Sequence, residues 1–164
     1  MEEKIIKEII IPKEEYLEFN IETSNPLNAY KKHYEIFAKM LEIRRSRHYI
    51  RDLRFDATDN SFFIRIDISD TFDNSKFFRT YYLIETILSG SIPKEGKSNL
   101  NIKLRGKIIY EQTISDENKL LFFIKKLFAH LHFQLFYKKV FEDRIKRIEE
   151  VLEKAKNEFI RILS

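Results

Sequence analysis

Leu100 to Phe128 reads LNIKLRGKIIYEQTISDENKLLFFIKKLF, and within it the chain changes its period. Up to Ile114, apolar and polar residues largely alternate, as on a half-buried strand. Ser115-Asp116-Glu117 then offers a helix cap with acids in the first turn, and from there onward the chain reads as helix to its end. Strands followed by helix predict an α+β fold. Within the stretch, Arg105-Gly106 separates LNIKL from KIIYEQTI and predicts a two-residue hairpin turn, because glycine tolerates positive φ.

Moving towards the N-terminus, KFFRTYYLIETILSG (76–90) fits both periods, and its aromatic and β-branched content decides for strand. SGSIPKEGKS (89–98) is a loop. YIRDLRFDA (49–57) and SFFIRIDIS (61–69) predict a hairpin around Thr58-Asp59-Asn60, with Leu53, Phe55 and Ala57 on the face shared by Phe62, Ile64, Ile66 and Ile68. One register that joins these faces sets Asp56 opposite Arg65 and Arg54 opposite Asp67. KIIKEIII (4–11) and YLEFNIE (16–22) read as two more strands on either side of Pro12. Asn25 and Pro26 start a helix expected to run to about Arg47, with Leu27, Tyr30, Tyr34, Phe37 and Leu41 as its apolar stripe.

The expected architecture is an antiparallel meander or hairpin sheet, a helix in the N-terminal half and a long C-terminal helix. Residues 1–164 form one α+β domain in this reading, with 141–164 as a coiled-coil-like extension. Phe141, Ile145, Ile148, Leu152, Ala155, Phe159 and Ile162 are spaced four, three, four, three, four and three, an unbroken heptad seam. It reads either as an oligomerisation surface, giving a homodimer, or as a terminal helix seated on the chain's own sheet. Upstream, LLFFIKKLFAHLHFQLFYKKVF (120–141) is apolar over most of its circumference. Its lysine pairs interrupt it too often for a membrane span.

Thirty Lys+Arg against 26 Asp+Glu give a net charge of +4, a balance that permits an anionic partner without requiring one. No cysteine is present, which excludes disulfides, thiolate metal sites and cysteine nucleophiles. The opening MEEKIIKE carries acids and no apolar run, so a cytoplasmic protein is expected. Abundant Lys, Glu and Ile with three glycines fit a thermophile or an AT-rich genome.

The glycines, Gly90, Gly96 and Gly106, match no phosphate-binding loop, and no cofactor is expected. His130 and His132, two apart on a helix, point away from each other, so no metal is expected of them. Asp67, Asp70 and Asp73 form a spaced acidic series, the basis for a third-ranked reading as a metal-dependent nuclease. No catalytic residue is assigned. The leading expectation is a non-enzymatic protein that binds single-stranded RNA or DNA through Arg44, Arg45, Arg47 and Arg51, with Tyr49, Phe63 or Tyr110 stacking on bases. The alternative is an interaction scaffold, adaptor or chaperone-like dimer, whose mark would be partial exposure of residues 120–141 in the free protein.

Overall fold

A computed structural model describes residues 1–13, 15–43 and 47–164. Six strands, β1 (Glu2–Ile11), β2 (Leu17–Thr23), β3 (His48–Asp56), β4 (Ser61–Asn74), β5 (Arg79–Ser91) and β6 (Ser98–Ser115), form one antiparallel sheet. Helix α1 (Leu27–Leu41) follows β2, and a continuous helical rod closes the chain. The rod comprises α2 (Lys119–His132), a π-helical turn (Phe133–Tyr137) and α3 (Lys138–Leu163). The α+β class and the disposition of helices are as expected. So is the strand assignment of the segment after Lys76.

Strand β6 organises the sheet. At roughly 3.4 Å per residue it is about 60 Å long, enough for two strands end to end along one edge. Residues 106–115 pair with β1, and residues 98–104 pair with β2. On its other edge β6 pairs with β5, followed by β4 and β3. The expected turn at Arg105-Gly106 is therefore absent: both residues lie inside the continuous strand, and Gly106 has no left-handed φ. A Cβ at Gly106 would stand 2.5 Å from Ile148 Cγ2. Glycine is here for the close passage of α3 over the strand, not for a bend.

All helices cover one face. Leu100, Ile102, Leu104, Ile108 and Tyr110 of β6, with Ile64, Ile66, Ile68, Ile84 and Leu88 of β4 and β5, are fully buried beneath them. Phe37 of α1 and Phe159 of α3 pack ring to ring at 6.5 Å, and Phe159 also meets Phe19 of β2. The heptad seam of α3 is taken up inside the chain: Phe141, Ile148, Leu152, Ala155 and Phe159 are buried, and Ile145 and Ile162 are half-buried against the same core. Residues 141–164 are thus a core element rather than an extension. Of the two readings of that seam, the second is the arrangement observed.

Two further details differ from expectation. Helix α1 ends at Leu41, where Glu42 adopts a left-handed φ of 52° and its N–H bonds Ala38 O. The β3–β4 hairpin turns earlier than expected, because Asp56 accepts from the Thr58 N–H and Asp59 from the Ser61 N–H, both at 2.8 Å. These side-chain turns close the loop so that Asp56 faces Ser61 and Arg54 faces Phe63. Leu53 and Phe55 do share the face of Ile64 and Phe62, yet both are exposed at β3, the edge strand of the sheet.

Candidate functional site

The sheet face opposite the helices is uncovered among the described residues, and of the four arginines expected to contact phosphate it carries Arg51. Across its centre, β4, β5 and β6 align Asp67, Glu85 and Arg105 in one row. Two facing carboxylates repel and must be neutralised. Arg51 Nε bonds Asp67 Oδ2 at 2.7 Å, Arg65 pairs with Glu85, and Arg105 Nη2 reaches Glu85 Oε1 at 3.2 Å. The Tyr16 hydroxyl also donates to Glu85. Burial, and next that hydrogen bond to Glu85, raise the Tyr16 pKa above the ordinary tyrosine value. Arg65 Nε and Asp67 Oδ1 lack hydrogen bonds and stand 3.8 Å apart, facing each other.

Arg51 reaches Asp67 because β3 carries a bulge between Ile50 and Asp52, which inserts Arg51 as an extra residue. An unbroken alternation along β3 would set Arg51 beside Leu53 on the core face; the bulge turns it to the polar one. Sequence periodicity could not signal that. The remaining cations of this face are paired in the same way: Lys4 and Arg79 with Glu111, Arg54 with Asp52, Lys103 with Glu18 and Lys107 with Glu8. Its aromatic rings are occupied too. Guanidinium carbons lie over Tyr16 (Arg105, 4.3 Å), Tyr81 (Arg79, 4.7 Å), Phe63 (Arg54, 5.4 Å) and Tyr49 (Arg51, 5.5 Å).

Of the four arginines expected to contact phosphate, Arg44 and Arg45 lie outside the described residues. Arg51 is bound to Asp67, and Arg47 is 3.9 Å from Asp70. Tyr110, expected as an exposed stacking residue, is fully buried beneath Phe133 and Tyr137. The acids separate as well: Asp67 serves Arg51, Asp70 neighbours Arg47, and Asp73 accepts from Tyr137 at 2.6 Å and faces Arg144 at 3.7 Å. Among the described residues no three His, Asp or Glu converge as metal ligands.

One polar cluster, centred on the buried His33, lies on the helix side. His33 Nδ1 is 2.8 Å from His48 Nε2, and His33 Nε2 is 2.7 Å from Thr86 Oγ1. Burial, reinforced by His48, holds the His33 imidazole well below the usual histidine range. It is a neutral linker between α1, β3 and β5, sealed beneath Phe37 and Phe159.

The face left without a partner is the outer side of α2 and the π turn. Leu120, Phe123, Phe128, Leu135 and Phe136, with Phe77 from the β4–β5 connection, are between 63% and 73% exposed. Only Phe122, Ala129, Phe133 and Tyr137 of this segment are buried. A groove of about 650 Å³ runs along one flank, between Phe128, Leu131, Leu135 and Phe136 on the helix and Phe77 and Ile114 opposite. Soluble monomers rarely expose a contiguous apolar patch of more than a few hundred Å². No helix of the described residues is long and apolar enough to cross a membrane.

No protein-family model matches the chain, and no curated protein matches it in sequence. Three solved structures show weak likeness. A delta-endotoxin aligns over 72% of this chain and 64% of its own at 8% identity and a TM-score of 0.31, so the chain spans less than two thirds of it. A Staphylococcus aureus protein of unknown function aligns over 95% and 93% at 8% identity and a TM-score of 0.28. An activated Cyt2Ba monomer from Bacillus thuringiensis subsp. israelensis aligns over 69% and 71% at 10% identity and 0.26. All three scores are too low to carry an argument about fold or function.

Proposed function

We propose that this protein is an interaction protein that docks another polypeptide on the outer apolar face of α2. One observation carries the reading: the large side chains of that face point into solvent while the rest of the helix is anchored to the sheet. Burying a large aliphatic or aromatic side chain contributes about 1.5–3 kcal/mol, and five or six such groups are available together. The competing nucleic-acid reading loses its support on the open sheet face. There the named cations already have acids beside them, and the aromatic faces already have guanidinium groups above them.

The test is dye binding on dilution. At nanomolar protein, where complexes dissociate, an environment-sensitive apolar dye is expected to fluoresce strongly. Leu127→Glu with Leu131→Glu should abolish that signal without lowering the unfolding temperature of the free chain, because neither side chain is part of the core. Absence of dye binding by the unaltered protein would remove the basis of the reading.

A further inference from the structure

The outer arc of α2 has an order that identifies its occupant. Projected at about 100° per residue, Phe122 and Ala129 point into the protein. Lys125 and His132 fall on one shoulder, and Lys126 and His130 on the other. Between the shoulders, facing away from the sheet, every position within α2 is apolar, and beyond it the π turn adds Gln134 to the same arc. Its centre is Leu120, Ile124, Leu127 and Leu131, spaced four, three and four, which is the seam by which one helix packs on another. Lys125 is tied back to Asp116 at 2.8 Å and Lys126 to Glu3 at 2.8 Å, so the cations flanking the seam are neutralised by their own chain.

We infer that a second copy of this chain covers the arc, its α2 lying antiparallel to the first about a two-fold axis between Leu127 and Phe128. This rests on the interaction reading above and names its partner. The arc is self-complementary about that axis: Leu127 falls opposite Phe128, Ile124 opposite Leu131, and Leu120 opposite Leu135, all apolar. Charge agrees with the same axis. Glu117 precedes α2 and Lys138 follows the π turn, equally far along the chain from that axis and on opposite sides of it, so each copy's Glu117 comes to the other's Lys138. Both side chains are exposed. A parallel pairing would instead set Lys138 and Lys139 against their counterparts. The available area is also sufficient. With roughly 200 Å² for a fully exposed large side chain, the arc and Phe77 offer on the order of 1,000 Å² per copy, against about 800 Å² per partner in a standard interface.

The absence of native cysteine permits a direct test. Light scattering of the full chain should give twice 19.9 kDa. Leu127→Glu with Leu131→Glu should give the single mass, with an unchanged far-ultraviolet spectrum. Under mild oxidation Leu127→Cys should cross-link to itself. Leu120→Cys should not, since its copies would stand about 22 Å apart at about 1.5 Å per residue, beyond disulfide reach. Mixed Leu120→Cys and Leu135→Cys chains should cross-link to each other. Equal self-linking of Leu120→Cys overturns the antiparallel pairing. A monomer at 100 µM overturns the second copy as occupant, and further assays locate the fault. If that monomer binds the apolar dye, the interaction reading stands with a different polypeptide. If it sediments with anionic vesicles, the face serves a lipid surface. If it does neither, both readings fall.

Discussion

Replacing Gly106 by alanine tests how the terminal helix is seated on the sheet. The position lies within β6 and outside the left-handed region, so alanine meets no backbone strain. In a strand it should then be preferred over glycine by roughly 0.5–1 kcal/mol. Opposing this, the new Cβ would stand 2.5 Å from Ile148 Cγ2 and 3.7 Å from Leu152 Cδ1. Ile148 is fully buried and branched at Cβ, so its methyl cannot swing aside without an unfavourable rotamer. Overpacking of this kind costs about 1–3 kcal/mol. The steric term wins at all but the bottom of its range, and a net loss of up to about 2.5 kcal/mol is expected, lowering the unfolding midpoint by up to roughly 10 °C for a chain of this size. Ile148→Ala alone should cost about 2–5 kcal/mol through the cavity it leaves. In that background Gly106→Ala should become neutral or stabilising, giving a coupling above about 1 kcal/mol in a double-mutant cycle. Denaturant unfolding followed by circular dichroism on the four proteins measures it. A more stable Gly106→Ala in the otherwise unaltered chain would refute the seating of α3 on β6.

Four other outcomes follow from the polar contacts. Arg51→Met should destabilise more than Asp67→Asn, because the first strands a buried carboxylate while the second leaves an arginine that water can solvate; thermal melts of the two variants compare them. His33 stays neutral when folded, whereas the unfolded chain takes up a proton below about pH 6.5. Stability should therefore fall as pH drops below that value, by up to about 1.4 kcal/mol per pH unit from this group, and the slope should flatten in His33→Gln. Tyr137 is pushed up to about 12 by burial and its bond to Asp73, so unfolded tyrosine ionises first and stability should decline from about pH 10 upward, less steeply in Tyr137→Phe. Finally, were Arg47 and Arg51 phosphate contacts, their removal would lower the salt slope of single-strand binding by about one each. The ion pairs of both residues predict no change, measured by fluorescence anisotropy against salt.

What the sequence revealed tracks how local each signal is. The period change after Ile114, the strand character after Lys76 and the heptad spacing of α3 are properties of neighbouring residues, and each could be read directly. Gly106 could not be read so. A glycine between two alternating runs is the mark of a turn and equally of a close crossing, and only α3, about forty residues later, decides between them. Arg51 is the same problem at smaller scale: its parity was legible, but a one-residue bulge in β3 reversed its face and gave it to Asp67. The open-face charges were counted correctly as cations. Their neutralisation was invisible, because the acids come from other strands.

The rod 119–163 shows why periodicity alone could not say which apolar stripe faces the protein. α3 has one stripe, and the sheet takes it. α2 and the π turn together have two, one running Phe122, Ala129, Phe133 and Tyr137, aromatic but for Ala129, and an aliphatic one running Leu120, Ile124, Leu127 and Leu131. The sheet takes the aromatic stripe because it meets rings there: Phe133 packs on Tyr110 at 4.9 Å, and Tyr137 on Phe78 at 4.8 Å. Keeping that stripe inward has a backbone requirement. Ala129, Phe133, Tyr137 and Phe141 are four apart, and each such step overshoots a full α-helical turn by about 40°, so a regular helix would rotate Phe141 roughly 120° away. The π turn, in which the Lys138 N–H bonds Phe133 O, widens the helix where the drift would accumulate and brings Tyr137 and Phe141 back under the sheet. By holding the aromatic stripe inward along the whole rod, it keeps the aliphatic stripe outward. The exposed seam is therefore a consequence of how the helix is anchored.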